Sequence, residues 1–382
     1  MSFMAHEITQ LERDAAQPIP AADMLADGFE LIANEHRKSD AEYQAQMQKL
    51  GFGVDYSDYM AHATWSAEGG WGRKVIEPYG PLSLDPGTAV LHYGQEVFEG
   101  LKAYRHDDGS IWTFRPLYNA ARLNRSGRRL AIPELSARDF MASIVGLVRA
   151  DSRWVPETEG ASLYLRPFTF ASESFLGVRA ASRYEYLVIA SPSGPYFVHG
   201  FQPIEVWVEK DYHRAGPGGM GDAKTGGNYA SSLLPKVVAH DAGFDEVMFL
   251  DAKTDTYIDE LGGMNVFVVM SDGSVKTPAL TGNILPGCTR SSIIQLLESN
   301  GTAVSEEAIA ISDVVAGIKN GTVAEMFACG TAAVVTAIGR LASDDFDIAV
   351  PAGPVTKRIY DDLTNIQLGR AEDKFGWCYR LA

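Results

Sequence analysis

The stretch "GGMGDAKTGGNY", residues 218 to 229, sets one lysine among glycines. Gly218, four residues, then Ala223-Lys224-Thr225 is one residue away from the G-x-x-x-x-G-K-[ST] phosphate loop. Lys224 could therefore reach a triphosphate. It could instead form a Schiff base with a carbonyl cofactor and carry protons once displaced, or be an ordinary solvated lysine. A phosphate loop demands a glycine just before the lysine and a helix starting at Lys-Thr. Here Ala223 precedes Lys224, Gly226 and Gly227 are poor residues for a first helical turn, and the helical pattern starts near Asn228. The glycines suit a flat ring, whose approach no Cβ obstructs.

Three further segments bear on the choice. In "ILPGCTRSSIIQLLESN" an amphipathic helix starts at Thr289 after a Pro-Gly turn, so the backbone N–H groups of Cys288 and Thr289 offer either a phosphate site or an ordinary helix start. In "NAARLNRSGRRL", Arg122 facing inward would pair bidentately with a phosphate. A solvated basic face with Arg125, Arg128 and Arg129 is the alternative, and spacing does not choose. In "YIDELGGMN", Glu260 either holds a protonated pyridine nitrogen or is a surface glutamate.

The elements that must position these residues alternate irregularly. "SIWTFR", "SLYLRPFTFAS" and "YEYLVIASP" predict strands, and "LYNAARLNRSGRRLAI" and "ARDFMASIVGLVRAD" predict helices. "SPSGPYF" is the best linker candidate. Beyond it "QPIEVWVEK", "DEVMFLD", "YIDELGGMNVFVVM" and "AEMFACGTAAVVTAI" read as strands, and "YASSLLPKVVAHDAG" and "TRSSIIQLLESNG" as helices. Without a strict βαβ beat the class expected is α+β. The expected division is a polar extension over 1–50, a first domain over 51–190, a linker over 191–199 and a second domain over 200–382.

The 382 residues carry 49 acidic against 33 basic side chains, a formal net charge of -16, which argues against nucleic acid or an anionic membrane as partner. The first twenty residues lack a signal peptide's basic start and apolar run. Cys288, Cys329 and Cys378 are too widely spaced for a disulfide framework or a zinc site, so no metal and a cytoplasmic setting are expected.

Taken in order, "VLHYGQEVFEGLKAYR", "LYLRPF", "SFLGV", "AKTGGNYASSL", "YIDELGGMNVF", "LPGCTR", "FACGTAA" and "LTNIQLGR" resemble the branched-chain amino-acid aminotransferases of the class IV aminotransferase family. The resemblance runs from "GFGVDYSDYM" to the last residues. It implies the two-domain fold type IV, with a smaller N-terminal α/β domain and a larger β-barrel-like second domain, and pyridoxal 5'-phosphate as cofactor. Lys224 would bond to the cofactor and shuttle the proton, Tyr229 would meet its phenolic oxygen and Glu260 its ring nitrogen. Arg122, the amides of Cys288 and Thr289, and Thr331 would hold the phosphate, with Leu285 packed on the ring. Tyr93, Thr331 and Ala332 would grip the substrate α-carboxylate. Phe98, Tyr164 and Arg166 would line the pocket, and Leu176 and Val178 would reach in from the other subunit of a homodimer. The implied substrates are leucine, isoleucine or valine with 2-oxoglutarate. D-amino-acid aminotransferases and aminodeoxychorismate lyases share the lysine, glutamate and arginine; "FEGLKAYR" and "GGNYASSL" favour the branched-chain enzymes.

Overall fold

The structure, a computed structural model, describes residues 10–195 and 202–382. Residues 196–199 of the expected linker lie outside them, while Ser191, Pro192 and Ser193 still belong to the strand Arg183–Ser193. The described chain forms two units. The first comprises residues 10–195, 223–226 and 365–382, and the second residues 202–222 and 227–364.

The first unit is built on a 9-stranded sheet in the order Glu30–Leu31, Gly70–Pro78, Tyr59–Ser66, Arg183–Ser193, Ser162–Ala171, Leu101–Arg105, Ile111–Phe114 and Cys378–Arg380, with Glu96–Phe98 also paired to Ser162–Ala171. All pairings are antiparallel except the first. The outer strand Cys378–Arg380 sets Cys378 opposite Phe114. Helix Ala137–Ala150 starts where the Ser136 side chain accepts the Asp139 N–H, and it buries Phe140, Met141, Ile144, Val145, Leu147 and Val148. Each such side chain contributes roughly 1.5–3 kcal/mol. The polar segment anticipated as an extension does form the helix Asp40–Met47, yet it also places Leu25 and Phe29 in this core. Isolated apolar residues in a polar stretch carry no period by which to foresee that.

The second unit has its own 9-stranded sheet, ordered Ile258–Leu261, Glu246–Leu250, Ile204–Glu209, Val334–Ser343, Val323–Gly330, Asn265–Met270, Val275–Pro278 and Val304–Glu307, with Phe346–Ala349 paired to Val334–Ser343. The core takes alternate residues such as Val206 and Val208, Val266 and Val268, and Met326 and Ala328. Two runs read as single strands are each broken once. "YIDELGGMNVFVVM" turns at 262–264 and "AEMFACGTAAVVTAI" at 331–333, because Gly-Gly and Gly-Thr interrupt the ladder.

Candidate active site

In the first unit, strand Ser162–Ala171 sends Leu163 and Leu165 into the core and leaves Tyr164, Arg166 and Phe168 half-buried on its other face. Strand Glu96–Phe98 sets Phe98 opposite Phe168 and Glu96 opposite Phe170, so both join that face. Arg166 spreads its guanidinium 4.8 Å from the Phe98 ring centroid and donates from Nη2 to the Tyr164 hydroxyl at 3.0 Å. Gly100 is glycine because the Tyr164 hydroxyl occupies the space a Cβ would need.

Lys224 is clamped to this face through its backbone. Its carbonyl accepts the Phe98 N–H at 3.0 Å, and its N–H donates to Ser126 Oγ at 2.9 Å. Its Nζ stands 4.8 Å from the Phe98 ring centroid. The Gly226 N–H donates to Glu96 Oε1. Amides that a phosphate loop would turn toward a nucleotide are thus spent on Ser126 and Glu96. The short helix Gly226–Ala230 begins at Gly226, earlier than its two glycines suggest, because the carboxylate of Glu96 caps the first N–H. Burial raises the Glu96 carboxyl above its ordinary range, opposed by the Gly226 N–H and the nearby Arg166.

Helix Pro116–Arg129 turns Arg122 inward, with Arg128 and Arg129 left on the solvent side. Arg122 and Ser126 are one turn apart on one side of this helix. Nε and Nη2 of Arg122 donate to the two oxygens of Glu99 at 2.7 and 2.8 Å, and Asn119 Nδ2 adds a bond to Glu99 Oε2 at 2.8 Å. Both charged side chains are buried, Glu99 completely. Tyr93 ends the short helix Ala89–Tyr93, and its hydroxyl donates to the Leu176 carbonyl. The Leu176 and Val178 side chains are exposed, by 70% and 88%.

In the second unit, Glu260 on strand Ile258–Leu261 is held from three sides. Arg214 Nη1 lies 2.8 Å from Oε1, the Leu285 N–H donates to Oε1 at 2.8 Å, and Asn265 Nδ2 donates to Oε2 at 3.2 Å. Asn265 also donates to the Leu285 carbonyl at 3.0 Å, which fixes Leu285 beside the carboxylate. Helix Cys288–Ser299 starts at Cys288, one residue before the expected Thr289; both are buried, and the N-cap is Gly287, which brings no side chain to the first-turn amides. Thr331 and Ala332 form the tight turn before Val334, a β-branched residue at φ 62. Tyr229 is on the helix Gly226–Ala230.

The structure therefore gathers Lys224, Phe98, Tyr164 and Arg166 on one face of the first unit, with Arg122 one turn from the serine that holds Lys224. It gathers Glu260 with Leu285 in the second unit. Sequence reasoning overlooked Glu96, Glu99, Ser126, Arg214 and Asn265. Glu99 had a visible signal, a charged residue inside the apolar run "VFEGL". Ser126 and Asn265 had none.

Residues 96–341 match the sequence model of the family described as Amino-transferase class IV. The chain is 46% identical over 360 residues to the branched-chain-amino-acid aminotransferase of Mycolicibacterium smegmatis, covering 92% of this chain and 98% of that protein. It is 47% identical over 360 residues to the enzyme so named from Mycobacterium tuberculosis, covering 92% and 98%. Among solved structures, the Escherichia coli branched-chain amino acid aminotransferase superposes with a TM-score of 0.71 at 30% identity, covering 85% of this chain and 99% of that one. The branched-chain aminotransferase of the thermophilic archaeon Thermoproteus uzoniensis, solved with norvaline, gives a TM-score of 0.69 at 26% identity, covering 84% and 100%.

Proposed function

The chain belongs to the class IV aminotransferase family, and from that premise we propose that it is a branched-chain-amino-acid aminotransferase. It moves the amino group of leucine, isoleucine or valine reversibly to 2-oxoglutarate, with pyridoxal 5'-phosphate as cofactor. The observation that carries the reading is the clamped Lys224, whose backbone is fixed on both sides while its amine stands over Phe98.

The residues fit such a cofactor. A helix whose N-cap is glycine offers first-turn amides that no N-cap side chain takes, which suits a phosphate. A carboxylate oriented by a guanidinium, an amide and an asparagine suits a protonated ring nitrogen. When bound, the cofactor supplies an aldehyde that takes up an amine and a ring that draws electrons from the substrate α-carbon.

The chain's own residues then divide the work. Lys224 binds the aldehyde carbon through Nζ and, once released, moves the proton of the substrate α-carbon, with proximity replacing a bimolecular encounter. Glu260 keeps the ring nitrogen protonated, Tyr229 orients the phenolic oxygen and Leu285 covers the ring. Arg122, already squared by Glu99, binds phosphate with the amides of Cys288 and Thr289 and with Thr331. Phe98 and Tyr164 receive a branched apolar side chain, and Arg166 receives the γ-carboxylate of glutamate. Tyr93, Thr331 and Ala332 hold the α-carboxylate.

The functional form in this reading is a cytoplasmic homodimer acting on small molecules alone. Support comes from the exposed Leu176 and Val178 and from helix Leu233–Asp241, whose Leu233, Leu234, Val237 and Val238 are exposed; sedimentation equilibrium tests it. The free state of all three cysteines suits a reducing compartment. Among the described residues no helix is long and apolar enough to cross a membrane.

The purified protein with pyridoxal phosphate is expected to show an absorption band near about 400 nm that Lys224→Ala abolishes. It is expected to form glutamate from leucine and 2-oxoglutarate. A wild-type chain with neither property overturns the reading.

A further inference from the structure

Glu96 has no part in the chemistry described above, yet it is tied to the segment that carries the lysine. Its Oε1 accepts the N–H of Gly226, two residues beyond Lys224. A Cβ at Gly226 would collide with that oxygen. A side chain at 226 would push the Glu96 carboxylate off the N–H it accepts, and the two residues form a matched pair. The Thr225 hydroxyl, fully buried, stands beside the same carboxylate and favours its charged form. Two residues along the strand from Glu96, the Phe98 N–H binds the Lys224 carbonyl. One short strand therefore grips the segment 224–226 at both ends, once by backbone and once by side chain.

Building on the aminotransferase reading, we propose that Glu96 is a positioning residue for Lys224: by taking the Gly226 N–H it fixes the register of 224–226 against strand Glu96–Phe98, and with it the direction of the lysine side chain. Release of this bond leaves Lys224 held at its own N–H and C=O but lets the chain pivot beyond it, so that Nζ reaches the aldehyde carbon less often.

The test is a double-mutant cycle on Glu96→Ala and Gly226→Ala, with Glu96→Gln as the variant that keeps an acceptor. Pyridoxal phosphate is added to each protein, the Lys224 adduct is trapped with borohydride and its peptide is quantified by mass spectrometry, alongside cofactor affinity and the melting temperature of the cofactor-free protein. Glu96→Ala is expected to weaken affinity roughly tenfold and to lower the trapped fraction at saturating cofactor, while Glu96→Gln stays within about twofold. Gly226→Ala is expected to be as damaging in the wild type and to add little in the Glu96→Ala background. If Glu96→Ala loses its cooperative melt, Glu96→Ser, too short to reach, takes its place in the same comparison. Full trapping in the short variant, or effects of the two substitutions that simply multiply, overturns the proposal. A wild-type chain that traps no cofactor at Lys224 fails the functional reading instead, which keeps the two failures apart.

Discussion

Ser126 Oγ accepts the backbone N–H of Lys224 at 2.9 Å across ninety-eight residues of sequence, and Ser126 is completely buried. The helix that binds Arg122 to Glu99 thus also sets the height of the lysine. Ser126→Ala leaves a buried N–H without its acceptor, a loss of about 1–3 kcal/mol. The expected result is a lower urea midpoint together with a fall in kcat that exceeds any rise in KM. An unchanged kcat at reduced stability would leave Ser126 a structural role only.

The pair Glu99–Arg122 separates stability from cofactor binding. Glu99→Ala removes the carboxylate that a buried guanidinium pairs with and is expected to cost about 3–5 kcal/mol in chemical denaturation. The double substitution Glu99→Met, Arg122→Leu removes both charges and is expected to recover most of that stability. It should not recover affinity for pyridoxal phosphate, measured by equilibrium dialysis, if Arg122 binds the phosphate.

Arg166 predicts a split between substrates. Arg166→Ala removes the guanidinium stacked on Phe98 but leaves the apolar lining in place. Turnover of glutamate is expected to fall at least about tenfold more than turnover of leucine, the scale of one lost charge-assisted bond. Equal losses in kcat/KM for the two substrates would show that Arg166 is not the γ-carboxylate contact.

Asp151 gives a pH signature unrelated to catalysis. It is completely buried, accepts the Tyr59 N–H at 2.9 Å, and faces Asp58 and Arg37; burial pushes its carboxyl up to about 6. An unfolded aspartate titrates near about 3.9, so between about pH 4 and 6 the native chain binds more protons than the unfolded one and stability falls as pH rises. Asp151→Asn removes this contribution. Relative to wild type the variant is expected to gain up to roughly 2–3 kcal/mol at pH 7, about 1 kcal/mol at pH 4.5 and almost nothing at pH 3, read from urea midpoints at the three pH values.

Much of this arrangement was visible in the residues alone because it is periodic. The strand Ser162–Ala171 alternates and the helix Ala137–Ala150 is amphipathic, so each announces itself. Their glycine surroundings singled out Lys224 and Glu260 but left a surface residue as the alternative to each; the structure leaves Lys224 half-buried and buries Glu260. The supporting contacts were not legible, since a single hydrogen bond between distant segments leaves no period to read. Glu96 shows this most clearly. The two glycines after Thr225 spoke against a helix, and only the approach of a carboxylate from another strand explains why a helical turn begins at Gly226. Arg122 was ambiguous for the opposite reason, because four arginines share its helix and burial alone distinguishes it from Arg128 and Arg129.

The pairing of Cys378–Arg380 with Ile111–Phe114 has a consequence for the order of synthesis. A ribosome delivers the early strands of the first unit long before the strand that completes their sheet, and the entire second sheet emerges in between. Until then the Ile111–Phe114 edge stands open, and an open edge is where a nascent chain recruits wrong partners. Translation rate over residues 202–364, and chaperone supply during it, are therefore expected to affect the yield of soluble protein.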